Sequence, residues 1–103
     1  MNKTKRIELK DTRFFGKQTA IICVITNYVM PKNNAVFLYT DTAELFCKAS
    51  VNLPEALASD EVAIKNYSEN EGILQELMRL NIISEPMRYI DIGYVTIPIC
   101  KIL

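Results

Sequence analysis

The sequence predicts an α+β fold: an antiparallel β-sheet, built from a meander plus C-terminal strands, packed against one main amphipathic helix. Three observations predict it. Most apolar residues fall in short β-branched or alternating runs bounded by turn residues. One stretch, Ser68 to Leu80, has helical periodicity instead. At about 100° per residue, Ile73, Leu74, Leu77, Met78 and Leu80 share one arc, with Gly72, Gln75, Glu76 and Arg79 opposite. Half of the 103 residues are hydrophobic, enough for one compact domain over residues 1–103 in a chain too short for two.

The elements follow in order. Lys5–Leu9 alternates, with Ile7 and Leu9 on one side and Arg6 and Glu8 on the other, as a half-exposed edge strand does. Asp11-Thr12 turns the chain into Arg13-Phe14-Phe15, and Gly16 breaks it. Thr19–Met30 is nearly continuously apolar, which predicts a strand covered on both faces. Pro31-Lys32-Asn33-Asn34 is a loop signal, since proline sets a turn and asparagine tolerates positive φ. Ala35–Thr40 returns, with Val36 and Leu38 facing one way and Phe37 and Tyr39 the other. After the turn at Asp41-Thr42, Glu44–Leu53 has the cleanest two-residue period. Leu45, Cys47, Ala49, Val51 and Leu53 share one face; Glu44, Phe46, Lys48, Ser50 and Asn52 share the other.

Pro54 ends this meander, Glu55–Ser59 is expected to make a helical turn, and Glu61–Asn66 is expected to be a strand. Ser68 and Glu71 have capping-box spacing for the helix start, and Asn81 is its expected stop. Ile82–Arg88 is a connector containing Pro86. Tyr89–Ile92 and Tyr94–Ile102 are expected strands, with Gly93 as a bulge or bend between them. Pro98 cannot donate to a ladder, so the last strand is expected at an edge or bulged there, and an unpaired edge is a route to a homodimer.

Composition excludes much chemistry. There is no histidine, which removes histidine acid/base catalysis, the usual Ser and Cys triads and most zinc sites. Gly16, Gly72 and Gly93 stand in no phosphate-loop context, so no nucleotide cofactor is expected. Cys23, Cys47 and Cys100 are odd in number and widely spaced, which predicts buried free thiols in a reducing cytoplasm. The run Thr19–Met30 falls short of the roughly twenty residues a spanning helix needs, and no cleavage site follows it. A cytoplasmic protein without a membrane segment is the expectation.

Twelve basic and twelve acidic side chains cancel, but not evenly along the chain. Residues 1–17 carry six basic against two acidic groups; from Asp41 onward there are ten acidic against five basic. Asp60, Glu61, Glu69 and Glu71 flank the expected 62–66 strand and the helix start, where a carboxylate cluster could bind a divalent cation or act as acid and base, although acids gather at helix N-termini simply to complement the dipole. Lys3, Lys5, Arg6, Lys10 and Arg13 are the alternative, a nucleic-acid-binding segment whose affinity would fall with salt. Phe46, Lys48 and Ser50 form a third candidate, an exposed sheet face. Tyr28, Tyr39, Tyr67, Tyr89 and Tyr94 are numerous, and an exposed subset would serve protein binding.

Val51-Asn52-Leu53-Pro54, Asp60-Glu61-Val62-Ala63-Ile64, Glu69-Asn70-Glu71-Gly72 and the closing Gly93-Tyr94-Val95 with Pro98-Ile99-Cys100-Lys101 resemble an uncharacterised family of small proteins. That family is carried largely on bacterial mobile elements: phages, plasmids and conjugative transposons. The resemblance covers about residues 44–103. Where the family tends to carry aromatics around the closing proline, this chain has Ile97, Ile99 and Cys100. The resemblance implies a context rather than catalytic residues. Small mobile-element proteins without enzymatic motifs often antagonise host defence by binding one of its components. The expected function is therefore a non-enzymatic protein-binding module that inhibits a host defence nuclease of the CRISPR or restriction type. If such an inhibitor mimics nucleic acid, Glu55, Asp60, Glu61, Glu69, Glu71 and Glu76 are its expected partner-binding face. The alternative is a small nucleic-acid-binding regulator.

Overall fold

The computed structural model describes residues 3–9 and 21–103. Arg13-Phe14-Phe15, Gly16, Lys10 and the first two residues of Thr19–Met30 lie outside the described residues. The fold is α+β, with the strands in two antiparallel sheets rather than one. The first has the order β1 (Lys3–Ile7), β2 (Ile21–Asn27), β3 (Asn34–Thr40), β4 (Leu45–Lys48). The second has the order β5 (Glu61–Ala63), β7 (Val95–Lys101), β6 (Arg88–Ile92). Between β5 and β6 come a 3₁₀ turn, Ser68–Asn70, and the helix α1, Ile73–Arg79.

The meander β2–β3–β4 forms as the alternation requires. Val36 and Leu38 are fully buried while Phe37 and Tyr39 are half-buried. In β2, Ile21 and Cys23 are buried, but Ile22, Val24 and Thr26 keep partial exposure, so one face is covered rather than both. The largest departure lies in β4. Leu38 pairs with Cys47 and Tyr39 with Leu45, which leaves Phe46 as an extra residue in a bulge. The bulge shifts the alternation, so Leu45 turns to solvent and Phe46 packs partly against the core.

After the bulge the chain hands itself from one sheet to the other. The Ala49 amide still donates to Val36 O at 3.0 Å, while Ala49 O accepts the Lys65 amide at 2.9 Å and the Val51 amide donates to Ala63 O at 3.0 Å. Ser50 sits at this junction, buried, with Oγ accepting the Val36 amide at 2.9 Å and bonded to the Tyr28 hydroxyl at 2.9 Å. Both sheets therefore share one core. Ile7, Cys23, Val36 and Leu38 from the first meet Val62, Ile64 and Cys100 from the second, with Ile73, Leu74 and Leu77 of α1 among them. On its other face the second sheet builds a smaller core, where Ala63, Ile97 and Ile99 pack with Leu53. The unbroken apolar run at the chain's end follows from burial on both faces.

Seven residues of helix form rather than thirteen. Ser68 adopts φ 55° and makes no side-chain cap, so the expected capping box with Glu71 is absent. Gly72 takes φ 100°, a left-handed value that interrupts any helix begun earlier. The cap comes from farther away: Asn66 Oδ1 accepts the amides of Gly72 and Leu74, each at 3.0 Å. Asn81 stops the helix as expected, at φ 58°. Its amide donates to Met78 O and that of Ile82 to Leu77 O, both at 3.0 Å, the paired bonds of a Schellman ending.

Three smaller expectations are corrected. No helix forms over residues 55–59. Gly93 is the first residue of a two-residue hairpin turn, at φ 59°, because Ile92 pairs directly with Val95. Pro98 lies in the middle strand of its sheet, neither at an edge nor bulged. It is tolerated because β5 ends at Ala63: Pro98 O accepts the Ile64 amide at 3.0 Å, and the missing reciprocal bond falls where that ladder finishes. Pro98 therefore marks no unpaired edge through which a homodimer could form.

Candidate protein-interaction surface

The acidic candidates do not assemble into one patch. Asp60 and Glu61 stand at the start of β5, whereas Glu69 and Glu71 lie beyond its other end. Glu76 is buried and cannot face a partner: its Oε2 lies 2.8 Å from Arg79 Nε, at the i, i+3 spacing of a helix pair. Arg79 in turn donates from Nη2 to Glu8 O at 3.0 Å, tying α1 to the chain after β1. Glu61 Oε1 accepts the Ala58 amide at 2.9 Å and Arg88 Nη2 at 3.0 Å. These bonds hold its carboxyl below the usual range, the Ala58 amide most strongly and Arg88 next. Glu69 meets Lys65 at 2.7 Å; that bond lowers the carboxyl and raises the ammonium. Glu55, Asp60 and Glu71 are exposed. Asp60 borders an open depression of about 240 Å³ that also contains Lys3, so an acidic and a basic candidate share one surface. No group of three or more acidic or cysteine side chains placed to hold a metal ion occurs among the described residues.

The basic candidates are split by strand geometry. Lys3 and Lys5 project from one face of β1 and Arg6 from the other, and Lys5 Nζ donates to Leu80 O at 3.4 Å, at the C-terminal end of α1. Lys10 and Arg13 lie outside the described residues. The third candidate, Phe46 with Lys48 and Ser50, is not an exposed face, since the bulge and the junction bury Ser50 and half-bury Phe46, leaving only Lys48 exposed.

All three cysteines are buried and unpaired. Burial pushes each thiol up to about 11, against a small lowering by Lys5 at Cys23. A thiol so protonated is a poor nucleophile at neutral pH. Iodoacetamide at pH 7.5 should leave the native chain unlabelled over an hour, and should add three groups in denaturant; intact mass reads both. Rapid native labelling at any of the three would contradict their burial.

One surface stands out. Among the described residues, eight large hydrophobic side chains are exposed, and half of them belong to the β6–β7 hairpin and its approach: Met87, Tyr89, Ile92 and Tyr94. Tyr94 occupies the turn and is fully exposed; Tyr89 is 61 % exposed. Tyr28, Tyr39 and Tyr67 are half-buried, Tyr28 edge-on to Phe37 at 5.8 Å between centroids. The strand pairing that places Ile90 and Ile97 inward against the small core leaves Tyr89 and the turn facing out. Exposed tyrosine beside aliphatic groups provides contact area at low entropic cost, as protein interfaces use it. In the sequence Tyr89 and Tyr94 are two of five tyrosines, and the Ile92-Gly93-Tyr94-Val95 turn is the one signal that sets these two on a projecting hairpin.

Comparison with family models, curated proteins and solved structures gives no match for this chain. No helix among the described residues is long and apolar enough to cross a membrane.

Proposed function

We propose that the chain is a non-enzymatic, cytoplasmic protein-binding module that holds a host protein through the β6–β7 hairpin. The observation that carries this reading is the concentration of exposed Tyr89, Ile92 and Tyr94 on one hairpin. Interfaces depend on a few large, well-packed side chains, with tyrosine prominent among them. The resemblance over residues 44–103, a stretch that includes the hairpin, supports the partner's class: a defence nuclease of the CRISPR or restriction type. Binding there acts sterically, by covering the nuclease. Nucleic-acid mimicry is a weaker route, since Glu61, Glu69 and Glu76 each already meet a cation. Three unpaired, buried cysteines support a reducing compartment.

The test is capture of partners from a bacterial host lysate with a tagged chain, washed at moderate and high salt. A cleavage assay on any captured nuclease follows. The reading expects one near-stoichiometric protein that survives high salt, because apolar contact is not screened, and whose cleavage falls as the chain is added. Recovery of nucleic acid alone, released by salt, would overturn it and favour the basic strand β1.

A further inference from the structure

The geometry points to a second copy of this chain as the occupant of the open edge of β6. Among the described residues two sheets have four edges, and three of these are guarded. β1 carries Lys3, Lys5 and Arg6, charges that discourage strand addition. β4 is four residues long and bulged, and its Lys48 carbonyl accepts Asn70 Nδ2 at 2.6 Å. On the outer side of β5, Glu61 O accepts Asn34 Nδ2 at 2.8 Å and Ala63 O accepts the Val51 amide at 3.0 Å. β6 has no lysine, no proline and no covering segment among the described residues; its two charges are opposite and already engaged, Arg88 by Glu61 at 3.0 Å and Asp91 by Thr96 at 2.8 Å, and it exposes Tyr89 and Ile92.

The hydrogen-bond register says which groups await a partner. Pro98 O accepts from Ile64 on the β5 side, so the neighbouring residues Ile97 and Ile99 turn their polar groups toward β6. Their partners Ile90 and Arg88 are therefore bonded inward. Tyr89 and Asp91 alternate with these and present their N–H and C=O groups outward. A two-fold axis through Ile90 matches these groups to themselves: Tyr89 pairs with Asp91 of the second copy, and Asp91 with its Tyr89. Ile90 then meets Ile90, and Arg88 meets Ile92. No like charges oppose each other in this register, whereas centring the axis on Asp91 sets carboxylate against carboxylate. The two three-stranded sheets become one of six strands. The Tyr94 turns lie at opposite ends, outside the pairing, so this inference goes beyond the binding of a host protein: it takes up Tyr89 and Ile92 at the dimer seam and leaves the Tyr94 turn of each copy free to bind.

Sedimentation equilibrium of the full chain tests it. The expected result is a concentration-dependent dimer of twice the monomer mass. Asp91→Pro removes an outward N–H that the symmetric pairing uses twice and no backbone bond to β7. It also removes the Asp91 Oδ1 that accepts Thr96 Oγ1 at 2.8 Å, so Asp91→Asn, which keeps that acceptor and the N–H, is the control. Asp91→Asn should not weaken the dimer, whereas Asp91→Pro should weaken it at least tenfold. Should that variant misfold, the exposed Ile92 supplies a second reading. Ile92→Lys, set against Arg88 of the other copy, should weaken dimerisation roughly three- to tenfold, and Ile92→Glu should strengthen it. A monomer at every concentration overturns the inference, as does a dimer indifferent to the Ile92 pair. A monomer that still captures a host protein separates this failure from that of the binding function; a dimer that captures nothing marks the reverse.

Discussion

Leu77→Ala should lower the free energy of unfolding by about 2–5 kcal/mol, as large-to-small changes in close-packed cores do. Leu77 is fully buried at the middle of α1, in the cluster that unites the inward residues of both sheets. Its side chain joins that core beside Ile73 and Leu74, and its carbonyl anchors the Schellman ending through Ile82. A seven-residue helix has little stability of its own, so packing rather than propensity holds it in place. Loosening that contact should also release the Ile82 turn. Against a typical total of about 5–15 kcal/mol, the loss is large enough for urea denaturation to resolve easily. A cost under about 1 kcal/mol would mean that α1 does not join the two sheets.

Asn33→Ala should cost about 3 kcal/mol, a large value for a loop residue. Asn33 is buried, and its amide group donates to Asn52 Oδ1 at 3.1 Å, Leu53 O at 3.4 Å and Glu55 O at 3.0 Å. Its Oδ1 accepts the Leu57 amide at 2.8 Å. One side chain thus serves the polar backbone of the 53–57 segment, which carries Leu53 into the small core. Removing it leaves several groups without partners, each costing about 1–3 kcal/mol where water cannot reach. Asn52→Ala is the comparison: it removes one acceptor of Asn33, which keeps Leu53 O and Glu55 O, and the Asn52 Nδ2 bonds to Met30 O and Pro31 O, both at 3.3 Å, at a more exposed position. It should cost about 1 kcal/mol, since water can replace it there. Equal costs for the two would contradict the central place of Asn33.

Much of the fold was legible because local pattern and tertiary burial agree. Alternation placed Ile7 and Leu9 inward, Val36 and Leu38 set the face of β3, and Asn81 marked the end of α1. The misses share a cause: the deciding contact is remote in sequence. Asn66 caps a helix whose start Ser68 and Glu71 seemed to define, because Gly72 can adopt a backbone that their box cannot accommodate. The bulge at Phe46 is needed to carry Ala49–Val51 from β3 to β5, and no residue within β4 announces it. Pro98 read as an edge residue because the length of β5, which makes it tolerable, is not encoded near it. For the candidate surface the sequence held less. Tyrosine is as much at home inside a sheet as outside one, so only strand order could separate Tyr89 and Tyr94 from Tyr39. The i, i+3 spacing of Glu76 and Arg79 was a usable sign that Glu76 was already engaged.

The most direct measurement is a side-by-side capture of the host protein by two variants of the tagged chain. One carries Tyr94→Ser; the other carries Asp60→Asn with Glu71→Gln. Tyr94 is fully exposed at the hairpin turn and Asp60 and Glu71 are exposed acids, so each variant should fold as the parent does. The account predicts at least a tenfold loss of captured protein with Tyr94→Ser and no loss with the acidic variant. Undiminished capture by Tyr94→Ser, with capture lost on neutralising Asp60 and Glu71, would contradict it and return binding to the acidic face.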